Sequence, residues 1–146
     1  MVNILSNKEL QTLLPKQKIP LFSSYVRAGF PSPADDFLEK KIDLNDYLIK
    51  NRSATFLVRV QGDSMMNDHI HDGDILVVDR SLEAMNKDIV IAAVNGEFTV
   101  KRLIKGKNTI VLKAANPLYK DIVLTSGSDA RICGVVIFSI LHHRNR

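Results

Sequence analysis

From Thr55 onward, apolar and polar positions alternate with a period of two, and the apolar positions are rich in β-branched residues. The alternating segments fall at 56–60, 75–78, 89–94, 98–104, 109–113, 122–124 and 131–141. Such alternation sends successive side chains to opposite faces of a half-buried strand. Turn formers separate the segments: Asp72-Gly73, Asn95-Gly96, Lys105-Gly106-Lys107-Asn108 and Ser126-Gly127-Ser128-Asp129. Asn95-Gly96 between two apolar runs signals a two-residue hairpin, which sets 98–104 beside 89–94. Short strands at this spacing predict a mainly β, antiparallel domain.

The N-terminal part reads differently. Residues 1–28 contain Pro15 and Pro20 and a short predicted helix at 7–14, with Ser6 as its N-cap. Gly29-Phe30-Pro31-Ser32-Pro33 forbids regular structure and sets an extended stretch. Helix is predicted again at 32–40, with a further helical turn at 45–49. The expected organisation is a short, mostly extended N-terminal arm, 1–28, followed by a β domain, 29–146.

Composition narrows the classes. A chain of 146 residues with 45% hydrophobic content can build one core. Its formal charge of +4 is concentrated in the arm, where Lys8, Lys16, Lys18 and Arg27 face Glu9 alone. The body is close to neutral and has no stripe of interleaved arginine and aromatic residues, so direct sequence-specific DNA binding is not expected. The single cysteine, Cys133, lies in an apolar run and reads as a small core residue rather than a nucleophile. One cysteine forms no internal disulfide, which fits a reducing cytoplasm. With no 18-residue apolar run and no continuous apolar stretch before the first prolines, no membrane span and no export are expected.

The chemistry centres on Ser64, in Gln61-Gly62-Asp63-Ser64-Met65, and Lys101, in Glu97-Phe98-Thr99-Val100-Lys101-Arg102. A serine hydroxyl needs a neighbour to take its proton, and a lysine serves once burial lowers its pKa from about 10.4 towards neutrality. Ser-Lys is a known variant of the serine-peptidase constellation. Gly62 permits a tight turn that exposes the serine, and the amide of Ser64, with that of Asp63 or a close neighbour, is placed to donate to an oxyanion. The Asp63 carboxylate reads as turn-stabilising. Alternation puts Thr99 on the face of Lys101, where it can hold the amine. Asp72, Asp74 and Asp79 lack the remaining ligands of a calcium loop, and His69, His71, His142 and His143 lack zinc spacing, so no metal and no cofactor are expected.

Gly62-Asp63-Ser64-Met65, then Asp72-Gly73-Asp74, then Thr99-Val100-Lys101-Arg102, with the lysine 37 residues after the serine, resembles the LexA and UmuD family of self-cleaving proteins. Phe30-Pro31-Ser32-Pro33-Ala34, Ile42-Asp43-Leu44-Asn45 and the run from Ile89 to Lys101 resemble its SOS-mutagenesis branch, from about Pro20 to about Ile140. The resemblance implies a LexA/signal-peptidase-like β fold and a Ser64–Lys101 dyad. It also implies self-cleavage between Ala28 and Gly29, whose setting Val26-Arg27-Ala28-Gly29-Phe30 is similar to the family's scissile site. It further implies a homodimer, a RecA filament on single-stranded DNA as promoter of cleavage, and a Y-family polymerase subunit as partner of the trimmed form. His69 departs from the glycine often found there in the family, which leaves the shape of the loop after Ser64 open. The alternatives are a non-enzymatic, dimeric, polymerase-regulating module and a LexA-type repressor fragment, the latter requiring an N-terminal DNA-binding domain that these residues do not supply.

Overall fold

The computed structural model describes residues 17–22, 26, 28, 29 and 38–144; the helix predicted at 7–14 lies outside them. The chain divides at Tyr47/Leu48 into two units. In the first, β1 (Lys18–Phe22) pairs antiparallel with β2 (Leu38–Asp43), in register from Lys18↔Asp43 to Phe22↔Leu38, with an irregularity between Leu21 and Phe22. The helix predicted at 32–40 is overturned at its C-terminal end, because 38–40 belong to β2. The backbone hydrogen bonds come from β1, about twenty positions earlier, and such tertiary pairing overrides a local helical preference. Helix α1 (Leu44–Leu48) follows directly, in line with the turn expected at 45–49. The Asp43 carboxylate starts it by accepting from the Asn45 amide at 2.8 Å.

The second unit is one seven-stranded antiparallel sheet: β3 (Thr55–Arg59), β4 (Ile75–Asp79), β5 (Ile89–Val94), β6 (Glu97–Lys105), β7 (Ile110–Lys113), β8 (Ile122–Leu124) and β9 (Ala130–Ile140). Their spatial order is β3-β4-β9-β5-β6-β7-β8. Each strand expected from the alternation is present, with ends within two residues, and the fold is mainly β as expected. Asn95 and Gly96 take positive φ of 50° and 81°, the backbone of a type I′ turn whose twist matches its flanking strands. That turn sets the β5–β6 register, Ile89↔Arg102 through Val94↔Glu97.

Val90 and Ala92 pack into one apolar cluster and Ile91 into another, so β5 is buried on both faces. This is why its sequence is a continuous apolar run rather than an alternating one. Leu76, Leu103 and Leu112 are fully buried, each contributing about 1.5–3 kcal/mol by leaving water. Cys133 is only half-buried, packed against the edge of one cluster, which corrects the expectation of a core cysteine.

Strand β9 joins the halves of the sheet, pairing with β4 and β5 and breaking register once against each. Gly134 sits between these breaks, where an added Cβ would lie 2.6 Å from Val78 Cγ1 and 3.3 Å from the Asp79 carbonyl. Gly134→Val is therefore expected to lose about 1–3 kcal/mol through overpacking, measured as a lower midpoint in urea. An unchanged midpoint would show that β4 gives way freely.

Candidate active site

The chain leaves β3 through a short ladder in which Val60 N–H donates to the Asp74 carbonyl and Gly73 N–H to the Val60 carbonyl, each at 2.8 Å. The Asp72 carboxylate then accepts from the Gly62 amide at 2.7 Å. Gly62 has φ of 92°, a conformation that side chains resist, and so turns the backbone sharply ahead of the serine. Met65, 1% exposed, anchors the far side of the turn in the core. A short 3-10 turn, Met66–Asp68, ends at His69 in the left-handed region, φ 62°. Glycine takes that conformation at no cost, which is the physical sense of the glycine the resemblance led one to expect.

Lys101 lies in β6 opposite Val90, with its side chain and that of Leu103 buried. Its Nζ is 3.1 Å from Ser64 Oγ, 2.8 Å from Thr99 Oγ1 and 3.1 Å from the Val100 carbonyl. Burial strips water from the ammonium and lowers the Lys101 pKa from its ordinary 10.5. A neutral amine has two N–H donors and one lone pair. Thr99 and the Val100 carbonyl are placed to take the donors, which leaves the lone pair for the Ser64 hydroxyl. On the opposite side of β6, Arg102 Nε donates to Asp68 Oδ2 at 2.8 Å and its guanidinium also reaches the Lys87 carbonyl. This pair ties the loop that carries Ser64 to the strand that carries Lys101.

The segment between β7 and β8 holds the serine loop from the other side. Ala115 N–H donates to the Ser64 carbonyl and Asn67 N–H to the Ala115 carbonyl, both at 2.8 Å. Asn116 Nδ2 donates to the Asp63 carbonyl at 3.0 Å, and Tyr119 O–H to the Asp63 carboxylate at 2.6 Å. The carboxylate thereby raises the Tyr119 pKa above its ordinary value. The Asp63 carboxylate, expected from the sequence to stabilise its turn, has Tyr119 of a distant segment as its partner, and the sequence reading missed Asn116, Tyr119 and the Asp68–Arg102 pair. Their only trace in the sequence is Asn116-Pro117, a turn signal that does not say which distant group the asparagine reaches.

Beside Ser64 opens a cleft of about 370 Å³, lined by Val58, Val60, Leu76, Ile91, Phe98 and Val100 among others. The carboxylates set aside as metal ligands have other partners. Asp79, fully buried, accepts from Ser81 Oγ at 2.6 Å and Asn51 Nδ2 at 2.9 Å, and these bonds lower its pKa. Asp74 accepts from the His71 amide at 2.9 Å. Among the described residues no three histidine, cysteine or acidic side chains form a metal-binding group, and no helix is long and apolar enough to cross a membrane. Ala28 and Gly29 are exposed and belong to the first unit.

Residues 20–137 match the family described as Peptidase S24-like. The chain is 46% identical over 127 residues to Protein SamA of Salmonella typhimurium (strain LT2), covering 87% of this chain and 86% of that protein. It is 40% identical over 129 residues to Protein MucA of Escherichia coli, covering 86% of each. To LexA repressor 2 of Geobacter sulfurreducens it is 38% identical over 124 residues, covering 84% of this chain and 60% of that protein.

Proposed function

The chain belongs to the Peptidase S24-like family, and from that membership and the geometry at Ser64 we propose that it is a self-cleaving Ser-Lys peptidase of the SOS mutagenesis response. The observation that carries the reading is the 3.1 Å separation of Lys101 Nζ and Ser64 Oγ, with the amine buried and held by Thr99.

In the mechanism, neutral Lys101 takes the Ser64 proton as Oγ attacks the Ala28 carbonyl. The amide of Ser64, with that of Asp63 or a close neighbour, stabilises the oxyanion. Collapse breaks the Ala28–Gly29 bond, and the Lys101 ammonium returns its proton to the departing Gly29 amine. Lys101 then takes a proton from water, whose oxygen attacks the Ala28 ester, and gives that proton to Ser64 Oγ as the ester bond breaks and residues 1–28 leave. The cleft beside Ser64, lined by apolar and polar side chains alike, and the edge strand β3 offer a place for a small-residue peptide to lie as an added strand.

A RecA filament on single-stranded DNA promotes the reaction, and the trimmed chain, 29–146, acts as a cytoplasmic homodimer that binds a Y-family polymerase subunit for translesion synthesis. The test is intact mass after incubation with RecA, an ATP analogue and single-stranded DNA. Two fragments that divide after Ala28 are expected; an uncut chain under those conditions would favour the non-enzymatic binding module.

The bond itself gives a sharper check. An added Cβ at Gly29 meets nothing within 4 Å. Gly29→Glu should nevertheless block processing, because bulk and charge beside the scissile carbonyl do not fit a cleft that takes Ala28 and Gly29. Release of the same fragment at the wild-type rate would move the cleavage site elsewhere.

A further inference from the structure

We propose that Asn116 is a positioning residue that aims the Ser64 amide at the oxyanion, an inference that rests on the self-cleavage reading. The Ser64 N–H and the Asp63 carbonyl belong to one peptide unit. No described peptide bond is cis, and in a trans unit the two groups point in opposite directions. Whatever fixes the carbonyl therefore fixes the direction of the amide.

Two donors fix it. Asn116 Nδ2 reaches the Asp63 carbonyl at 3.0 Å and the Met66 amide reaches it at 3.2 Å. The Met66 bond is local to the serine loop and turns with it. Asn116 comes from the separate segment between β7 and β8, is 7% exposed, and so supplies an external reference. Its own amide plane is held because Oδ1 accepts from the Leu118 N–H at 3.0 Å. The Ala115 N–H, one residue earlier, holds the Ser64 carbonyl at 2.8 Å. Successive peptide planes around the nucleophile are thus each tied to the same strap. A hydrogen bond accepted at the carbonyl also polarises the N–H of the same unit, making it a stronger donor to developing negative charge.

The experiment compares the full-length wild type with Asn116→Leu, Asn116→Asp and Ser64→Ala. It follows first-order loss of intact mass across alkaline pH, alongside thermal unfolding. Removing an oxyanion donor outright costs about 10²–10³-fold; leaving it in place but poorly aimed is expected to lower the plateau rate by about 10–10²-fold. The pH at half-maximal rate should not move in Asn116→Leu, since the contacts of Lys101 are untouched. Asn116→Asp keeps an acceptor for the Leu118 amide but replaces the donor to Asp63 with a carboxylate, charged at alkaline pH, so its rate is read beside that of the uncharged Asn116→Leu. If Asn116 serves the turn alone, Asn116→Asp cleaves like the wild type, and the proposal is overturned while the dyad stands. The same holds if Asn116→Leu shifts the pH midpoint and leaves the plateau intact. A wild type that never cleaves, indistinguishable from Ser64→Ala, brings down the parent reading and this one together.

Discussion

Ser64→Ala and Lys101→Ala are each expected to leave the chain uncut, with self-cleavage at least about 10⁴-fold slower than in the wild type. The hydroxyl and the amine act as one unit: the amine has no proton to take once the hydroxyl is gone, and the hydroxyl is a weak nucleophile without the amine. The double variant should consequently be no slower than either single one, and that non-additivity is the sharper signature. Folding needs a separate control, because Lys101 is buried and alanine would leave a cavity there. Lys101→Met keeps the volume and removes the base, so it should unfold at or above the wild-type temperature and still fail to cleave. Cleavage at the wild-type rate by any of these variants would sink the mechanism.

The rate of self-cleavage is expected to rise with pH, about tenfold per unit while Lys101 is mostly protonated, and to level off at a pH below 10.5, because burial lowers the Lys101 pKa. The same shift acts on stability. Below the folded pKa the lysine is protonated in both states, and the folded protein bears the cost of a buried charge. Between the folded pKa and 10.5 the unfolded chain holds more protons than the folded one, so stability gains as pH rises through that window. Lys101→Met should lose this dependence. A cleavage rate that is flat from about pH 6 to about pH 10, where a perturbed lysine titrates, would point to another base.

What the sequence reveals about this fold is what repeats or turns locally. The β5–β6 hairpin is legible in Asn95-Gly96 because both residues tolerate positive φ, and Thr99 falls beside Lys101 because strand alternation is strict. β2 reads as helix at 38–40 because the charged run Glu39-Lys40-Lys41 between Leu38 and Ile42 suits a helix as well as a strand, and nothing nearby reveals the partner at 18–22. Asn116 and Tyr119 were invisible for a different reason. Each makes a single hydrogen bond to a group more than fifty positions away, and such bonds leave no period in the chain. Half-buried Cys133 shows the same limit: an apolar run announces a strand but not how completely a given position is covered.

The order of strands sets when the sheet around Ser64 and Lys101 can be complete. Ser64 lies on the loop that leads into β4, and Lys101 on β6, yet β4 and the β5–β6 hairpin do not pair with each other. They are joined through β9, residues Ala130–Ile140, which emerge from the ribosome after everything else in the sheet. A nascent chain carries Ser64 and Lys101 long before it has the strand that bridges their halves of the sheet, and until then the Asp68–Arg102 pair and the bonds from Ala115 and Asn116 hold the serine loop. On the proposed self-cleavage reading synthesis thus acts as a timer, with the pair framed by the whole sheet only once translation has passed its last strand.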